Sequence, residues 1–287
     1  MKYEYNFGGL EEEYSTYESS KYVVLPVPYD KTSTWGRGAE NGPLAILEAS
    51  ANMELFDIET GLESYKKGIY TAEPIITQEE PQYLYEMVRE KAKSFINDDK
   101  FLITIGGNHC VPIGSCKAYT EKFDNVSVLQ IDAHSDMREN YEGNAFSHAC
   151  AMARMKDWAK PVMVGIRSMD SSEVENVKGK DVFYASYIRK TPTWQDEVVN
   201  ALTDNVYLTI DLDGFDPSIM PATGTPEPGG LYWYETLDLL EKVAKTKNII
   251  GFDVVELCPD SNSNPSNFMA AKLIYKIISL IEFYRRK

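Results

Sequence analysis

Six short stretches of the chain are apolar at nearly every position, where a half-exposed strand would alternate with polar residues. They are Tyr22–Val27 (YVVLPV), Phe101–Ile105 (FLITI), Val126–Ile131 (VSVLQI), Pro161–Ile166 (PVMVGI), Val206–Ile210 (VYLTI) and Ile249–Val255 (IIGFDVV). Continuous apolar runs of this length suit strands buried on both faces, as in a parallel sheet covered by helices. Two longer segments carry the other period. Gln78–Asn97 sets Leu84, Met87, Val88, Ala92, Phe95 and Ile96 three and four apart on a charged background, which predicts an amphipathic helix. Ser266–Arg286 does the same with Ala270, Leu273, Ile274, Ile277, Ile278 and Ile281, and Arg285, Arg286 and Lys287 at its end complement the negative pole of the helix dipole. Strands alternating with helices predict an α/β fold of three layers, α/β/α, around a mainly parallel sheet.

No repeat, low-complexity tract or Pro/Ser-rich linker interrupts the pattern, so residues 1–287 are expected to form one domain. The first twenty residues, rich in Tyr and Glu without clear periodicity, read as an N-terminal arm. Thr32–Pro43 (TSTWGRGAENGP) reads as a loop on its Gly and Asn content, serving either as a plain connection or as the rim of a pocket.

Composition narrows the class. At 287 residues, 43% hydrophobic and 25% charged, the chain can bury a sizeable core, which excludes disordered, collagenous and small disulfide-stapled proteins. Forty-four acidic against twenty-nine basic residues give a net charge of −15. That field disfavours nucleic acid and anionic membrane surfaces as partners and attracts a small cation. The four cysteines form no C-x-x-C pair, Met1-Lys2 is followed by no apolar leader segment, and no run approaches the ~20 apolar residues of a membrane span. A cytoplasmic, reduced protein is expected.

The candidate chemistry sits where the apolar runs end. All three histidines fall within residues 109–148. FLITI leads into Gly106-Gly107 and delivers Asn108-His109; VSVLQI leads into Asp132, His134 and Asp136; VYLTI leads into Asp211 and Asp213; IIGFDVV leads into Glu256. Side chains two apart in extended chain share a face, so each of these acidic motifs can present its groups together. Ligands of open parallel sheets bind outside the carboxyl ends of the strands. Any one of these motifs alone is explicable as a turn or a helix cap. Together, four carboxylates and two imidazoles at one rim would repel unless neutralised, since burying one uncompensated carboxylate costs several kcal/mol. Divalent cations answer that need. An oxygen-rich set without thiolate favours Mn over a structural zinc, with Zn, Co and Ni open, and six ligands suit two ions ~3.5–4 Å apart.

The motifs GGNH (106–109), DAHSD (132–136), SH (147–148), DLDGFDPSIMPATGTPEPGGL (211–231) and DVVEL (253–257) resemble those of the ureohydrolases, the family of arginase and agmatinase. The resemblance runs from Val27–Asp30 (VPYD) to DVVEL. It implies an arginase-type eight-stranded α/β/α fold, two Mn2+ per subunit, a small cationic guanidino substrate, and hydrolysis of its guanidinium to urea and an amine by a water shared between the ions. It implies further that His109, Asp132, Asp136 and Asp211 hold one ion and His134, Asp132, Asp211 and Asp213 the other. Asp136 would be the proton shuttle, His148 an acid–base group, and Glu256 the partner of the guanidinium. A homotrimer or homohexamer is implied as well.

Three positions depart from the family pattern. Asn108 stands where Asp or Glu is usual, Cys110 where Ser is usual, and Ala222 where Gly is common. Residues 136–155, DMRENYEGNAFSHACAMARM, are similar to prokaryotic agmatinases and aminopropylagmatinases. Agmatine is the first substrate expected, because it lacks the carboxylate that arginase must grip; N1-aminopropylagmatine and guanidino acids are the alternatives. Arg138 either pairs locally or grips a substrate carboxylate. A binuclear metallophosphoesterase would require cationic phosphate clamps, which these motifs lack, and a non-catalytic metal-binding relative would not require His148 or Glu256.

Overall fold

The computed structural model describes residues 5–260, 262 and 264–285. Eight strands form one sheet: β1 Tyr22–Val27, β2 Ile69–Thr71, β3 Phe101–Gly106, β4 Val126–Ile131, β5 Lys160–Ile166, β6 Asp181–Tyr184, β7 Asn205–Asp211 and β8 Asn248–Val255. Their spatial order is β2-β1-β3-β8-β7-β4-β5-β6, and every neighbouring pair is parallel. All six apolar runs are strands, two of them to the residue. β1, β3 and β4 are buried at every position, as the continuous runs required.

Helices cover both faces. Pro81–Asn97 buries Leu84, Val88, Ala92, Phe95 and Ile96 on one side of the sheet, together with Pro112–Lys122. On the other side, Gly42–Ser50, Trp233–Thr246 and Asn264–Arg285 pack against the apolar layer that holds Ile103, Leu208 and Phe252. Asn264–Arg285 buries all six residues of its expected stripe and also Tyr275, Lys276 and Glu282. Three layers result, α/β/α, as expected.

The differences from the sequence reading have physical causes. The helix expected from Gln78 starts at Pro81; proline, with fixed φ and no N–H, is favoured at the first helical position. Met87 lies outside the buried stripe and is exposed. Within the described part of the stretch read as an arm, Phe7 and Leu10 are buried in the core, and the Phe7 and Gly8 amides donate to Thr71 Oγ1 and Ser50 Oγ, each at 2.8 Å. Arg286 and Lys287, expected to complement the last helix, lie outside the described residues. The four cysteines are free thiols, and no described helix is long and apolar enough to cross a membrane.

The strand order positions the site. β3, β8, β7 and β4 are contiguous in the sheet, and these are the four strands whose ends carry His109, Glu256, Asp211 and Asp132. Residues far apart in sequence are thereby delivered to one stretch of the carboxyl rim.

Candidate metal centre

Two carboxylate–imidazole clusters meet at this rim. His109, Asp132 and Asp211 form one and Asp132, His134 and Asp213 the other, with the ligand atoms of each within 4.8 Å of one another. Asp132 belongs to both. His109 Nδ1 stands 3.0 Å from Asp132 Oδ2, 2.9 Å from Asp136 Oδ2 and 3.2 Å from Asp211 Oδ2. His134 Nδ1 stands 3.0 Å from Asp213 Oδ2 and 3.7 Å from Asp132 Oδ1.

Local backbone geometry aims these groups. After β3, Gly107 passes so close to the Tyr29 carbonyl that a Cβ would lie 2.2 Å from its oxygen, so no other residue fits where the chain turns to present His109. The chain from Asp132 to Asp136 is not extended throughout: Asp136 adopts φ 50°, which turns its carboxylate back toward His109. Glu256 likewise has φ 65°. Left-handed backbone at a non-glycine residue costs about 1–3 kcal/mol and collects at functional sites. Asp213 sits in a single 3-10 turn after β7, where its amide donates to Asp211 Oδ1 at 2.9 Å.

Whether these residues fit metal ions is tested by His109. Its Nε2 is committed to Thr209 Oγ1 at 2.9 Å, while its buried Nδ1 faces three carboxylate oxygens and is aligned for a hydrogen bond with none. One nitrogen among three anions is a poor hydrogen-bonding arrangement and a good coordination shell. The residues fit.

Electrostatics describe the same need. Burial disfavours a charged His109 imidazole, yet the surrounding carboxylates override it and hold its pKa well above the ordinary value. For His134 burial is likewise overcome, chiefly by Asp213, and the pKa reaches about 11. Burial, with the charges of Asp136 and Asp213, pushes Asp132 up to about 7; burial, with Asp213 and Asp132, holds Asp211 well above its usual range. The metal-free cluster therefore stores protons that divalent ions must displace. Apparent metal affinity is expected to rise as pH increases from about 7 toward about 11, with protons released on binding. Calorimetry in buffers of different ionisation enthalpy measures that release, and an affinity independent of pH would contradict it.

The cavity above the cluster has a volume of about 370 Å3 and is lined by His109, His134, Asp136, Asp211, Asp213, Glu256 and His148, among others. Ser33, Thr34, Trp35 and Gly36 also line it, so the first part of Thr32–Pro43 is a rim and not a plain connection, whereas its end is not loop: Ala39–Asn41 form a 3-10 turn and Gly42-Pro43 begin a helix. Glu256 Oε1 accepts from the His109 amide at 2.7 Å and from Asn108 Nδ2 at 3.2 Å, and burial pushes its pKa up to about 8. Asn108 thus has a task as an amide. Its Oδ1 accepts from Thr32 N and Oγ1, and its Nδ2 also donates to Ser33 Oγ at 2.8 Å, tying the rim to Glu256. Cys110 is buried and its thiol pKa is raised by burial; it contributes no ligand.

His148 Nδ1 lies 3.1 Å from Thr32 Oγ1. That hydroxyl gives its proton to Asn108 Oδ1, so His148 meets it with Nδ1–H and keeps the Nε2 lone pair. Burial lowers the His148 pKa, against the opposing pull of Asp136, and so favours the neutral ring. Arg138 pairs locally: its Nε is 3.3 Å from Glu173 Oε1, its Nη2 is 3.9 Å from Asp170 Oδ2, and its guanidinium lies 4.9 Å from the Tyr141 ring centroid.

Sequence reasoning missed the residues that hold the ligands in place. Gln130 Nε2 donates to Asp132 Oδ2 at 2.7 Å, Thr209 meets His109, and Arg167 donates to the carbonyls of Asp213, Gly214 and Phe215. The available signal was a polar residue inside an otherwise apolar run, as at Gln130, Thr209 and Asp253.

A three-layer α/β fold with joined carboxylate–imidazole clusters at the carboxyl rim of its parallel sheet is the architecture of a metal-dependent hydrolase. The Arginase family model matches residues 20–279, and the chain belongs to that family, the ureohydrolases that act on guanidino compounds. It is 39% identical over 278 residues to an N(1)-aminopropylagmatine ureohydrolase of Synechocystis sp., covering 93% of this chain and 91% of that protein. A protein of the same name from Thermus thermophilus is 37% identical over 277 residues, covering 94% and 93%. Among solved structures, the agmatine ureohydrolase of Thermoplasma volcanium matches with a TM-score of 0.87 and 31% identity over 95% of this chain and 93% of that one.

Proposed function

We propose that the protein hydrolyses N1-aminopropylagmatine to urea and the corresponding triamine, using two Mn2+ ions. The observation that carries the substrate class is the state of Arg138. Apart from imidazoles, it is the one cation among the described residues lining the cavity, and Glu173 and Asp170 already engage it. A substrate carboxylate would have to compete with Glu173 and Asp170 for that guanidinium, which weighs against arginine and guanidino acids. Asp170 and Glu173 leave the wall acidic, which suits a polyamine tail. The sequence reading that put agmatine first gives way to the longer substrate, because relatives named for it are 39% and 37% identical. Agmatine remains the second reading, supported by the Thermoplasma volcanium structure.

In this scheme His109, Asp132, Asp136 and Asp211 would hold one ion and His134, Asp132, Asp211 and Asp213 the other. Bound there, two divalent cations supply a water of lowered pKa as nucleophile. Glu256 accepts charge-assisted hydrogen bonds from the guanidinium and turns its carbon toward the cluster. Asp136 takes up the proton released as water adds, and the neutral His148 accepts it at its Nε2 lone pair and passes it to the departing amine. Urea and an ammonium group leave, which balances one water against one guanidinium. A cytoplasmic homotrimer or homohexamer completes the reading, on the resemblance of the motifs to those of the ureohydrolases.

A urea-release panel tests the reading. With Mn2+ present, N1-aminopropylagmatine is expected to give a kcat/KM on the order of tenfold above agmatine, the scale of one additional recognised group. Arginine and 4-guanidinobutyrate are expected to be slower still. A preference for agmatine would reverse the order of the two readings, and turnover of a phosphodiester without urea release would replace both.

A further inference from the structure

Beneath the cluster, the sheet carries a row of polar side chains that the scheme above does not use. The register aligns Thr104 with Asp253, Asp253 with Thr209, and Thr209 with Gln130 across β3, β8, β7 and β4. Side chains in register on adjacent strands share a face, and all four are fully buried. Polar groups are kept in such a place at a cost of desolvation, which a specific partner must offset. Gln130 reaches up to Asp132 and Thr209 reaches up to His109. Asp253 reaches neither ligand. Its Oδ1 accepts the Thr209 hydroxyl at 2.9 Å.

That contact has a directional consequence. A threonine hydroxyl holds one proton, and it is given to Asp253 when that carboxyl is ionised, above the pKa of about 7 to which burial raises it. Toward His109 the Thr209 oxygen can offer only a lone pair, so His109 must meet it with Nε2–H. In the neutral ring the proton is then fixed on Nε2, and the Nδ1 lone pair is left pointing among Asp132, Asp136 and Asp211. We infer that Asp253, acting through Thr209, is a positioning residue that sets the His109 tautomer able to take a metal ion. The inference rests on the two-metal reading proposed above.

Calorimetric binding of Mn2+ to metal-free protein separates the two. Thr209→Val keeps the side-chain volume and removes the hydroxyl, and is expected to weaken Mn2+ binding by roughly 10–100-fold, the usual scale for partners behind a metal ligand. Thr209→Ser removes a buried methyl but keeps the hydroxyl, and is expected to bind within about threefold of wild type even where its Tm falls. Asp253→Leu is expected to weaken binding in the same direction as Thr209→Val, and carries the test if that variant does not fold. A merely structural role would make Ser at least as damaging as Val. Wild-type affinity in both Thr209→Val and Asp253→Leu, or equal losses in the Val and Ser variants, would overturn the relay. A wild-type protein that binds no divalent ion would overturn the metal reading itself, a separate outcome.

Discussion

Asp132→Asn is expected to lower bound Mn2+ from about two ions per chain to one or fewer, and to reduce kcat by at least about 10³-fold. Asp132 is fully buried and is the residue common to both clusters. Its Oδ2 lies 3.0 Å from His109 Nδ1 and accepts from Gln130, while its Oδ1 accepts from the His134 amide at 2.6 Å. An amide of the same shape keeps the packing, removes one of the clustered negative charges, and offers one oxygen where a bridge needs two. Metal analysis after dialysis measures the loss directly. Metal content equal to that of wild type would remove Asp132 from the ligand set.

His148→Ala has the second largest expected effect and the opposite signature. It should leave both ions bound and lower kcat on the order of 10²–10⁴-fold, the range for loss of a positioned acid–base group. The reasoning is local. His148 belongs to neither cluster; it lines the cavity with Nδ1 held by Thr32 and burial favouring its neutral form. Steady-state kinetics with metal content measured on the same sample separates this outcome from that of Asp132→Asn. Unchanged kcat would make His148 a group that shapes its loop and nothing more.

The contrast between these residues explains what was legible in the chain. β1 and β4 could be bounded to the residue because both faces of each strand are covered, so the apolar run ends where the strand ends. β2 and β6, at the two edges of the sheet, are three and four residues long and mostly half-exposed, and leave no comparable run. His109, Asp132, Asp211 and Glu256 were legible because each follows a buried run directly, and the carboxyl rim of a parallel sheet is where such groups converge. The residues that orient them were not legible, because their partners are set by the fold. Thr32 meets His148 across 116 positions, and Thr209 meets His109 across 100. Local pattern carries no information about such pairs. It does flag that a Gln, a Thr or an Asp inside an apolar strand must have some partner.

Arg138 shows the same limit from another side. From sequence it was equally a local salt bridge or a grip for a substrate carboxylate. The fold supports the first, because Glu173 is brought to it from 35 positions away. Glu173 itself is buried and also accepts from the Met137 amide at 2.9 Å, so the pair is anchored and not a chance surface contact. Replacing that guanidinium would free two carboxylates beside the cavity, and no substrate carboxylate is needed to satisfy it.

The central claim is that acids and imidazoles from the ends of four adjacent strands hold a pair of cations. An anomalous-difference map from crystals grown with Mn2+, collected at the manganese absorption edge, tests it most directly. Two peaks ~3.5–4 Å apart are expected between the His109 and His134 imidazoles, within bonding distance of Asp132 and Asp211. A single peak remote from these side chains, or none under conditions where urea is released, would contradict the account.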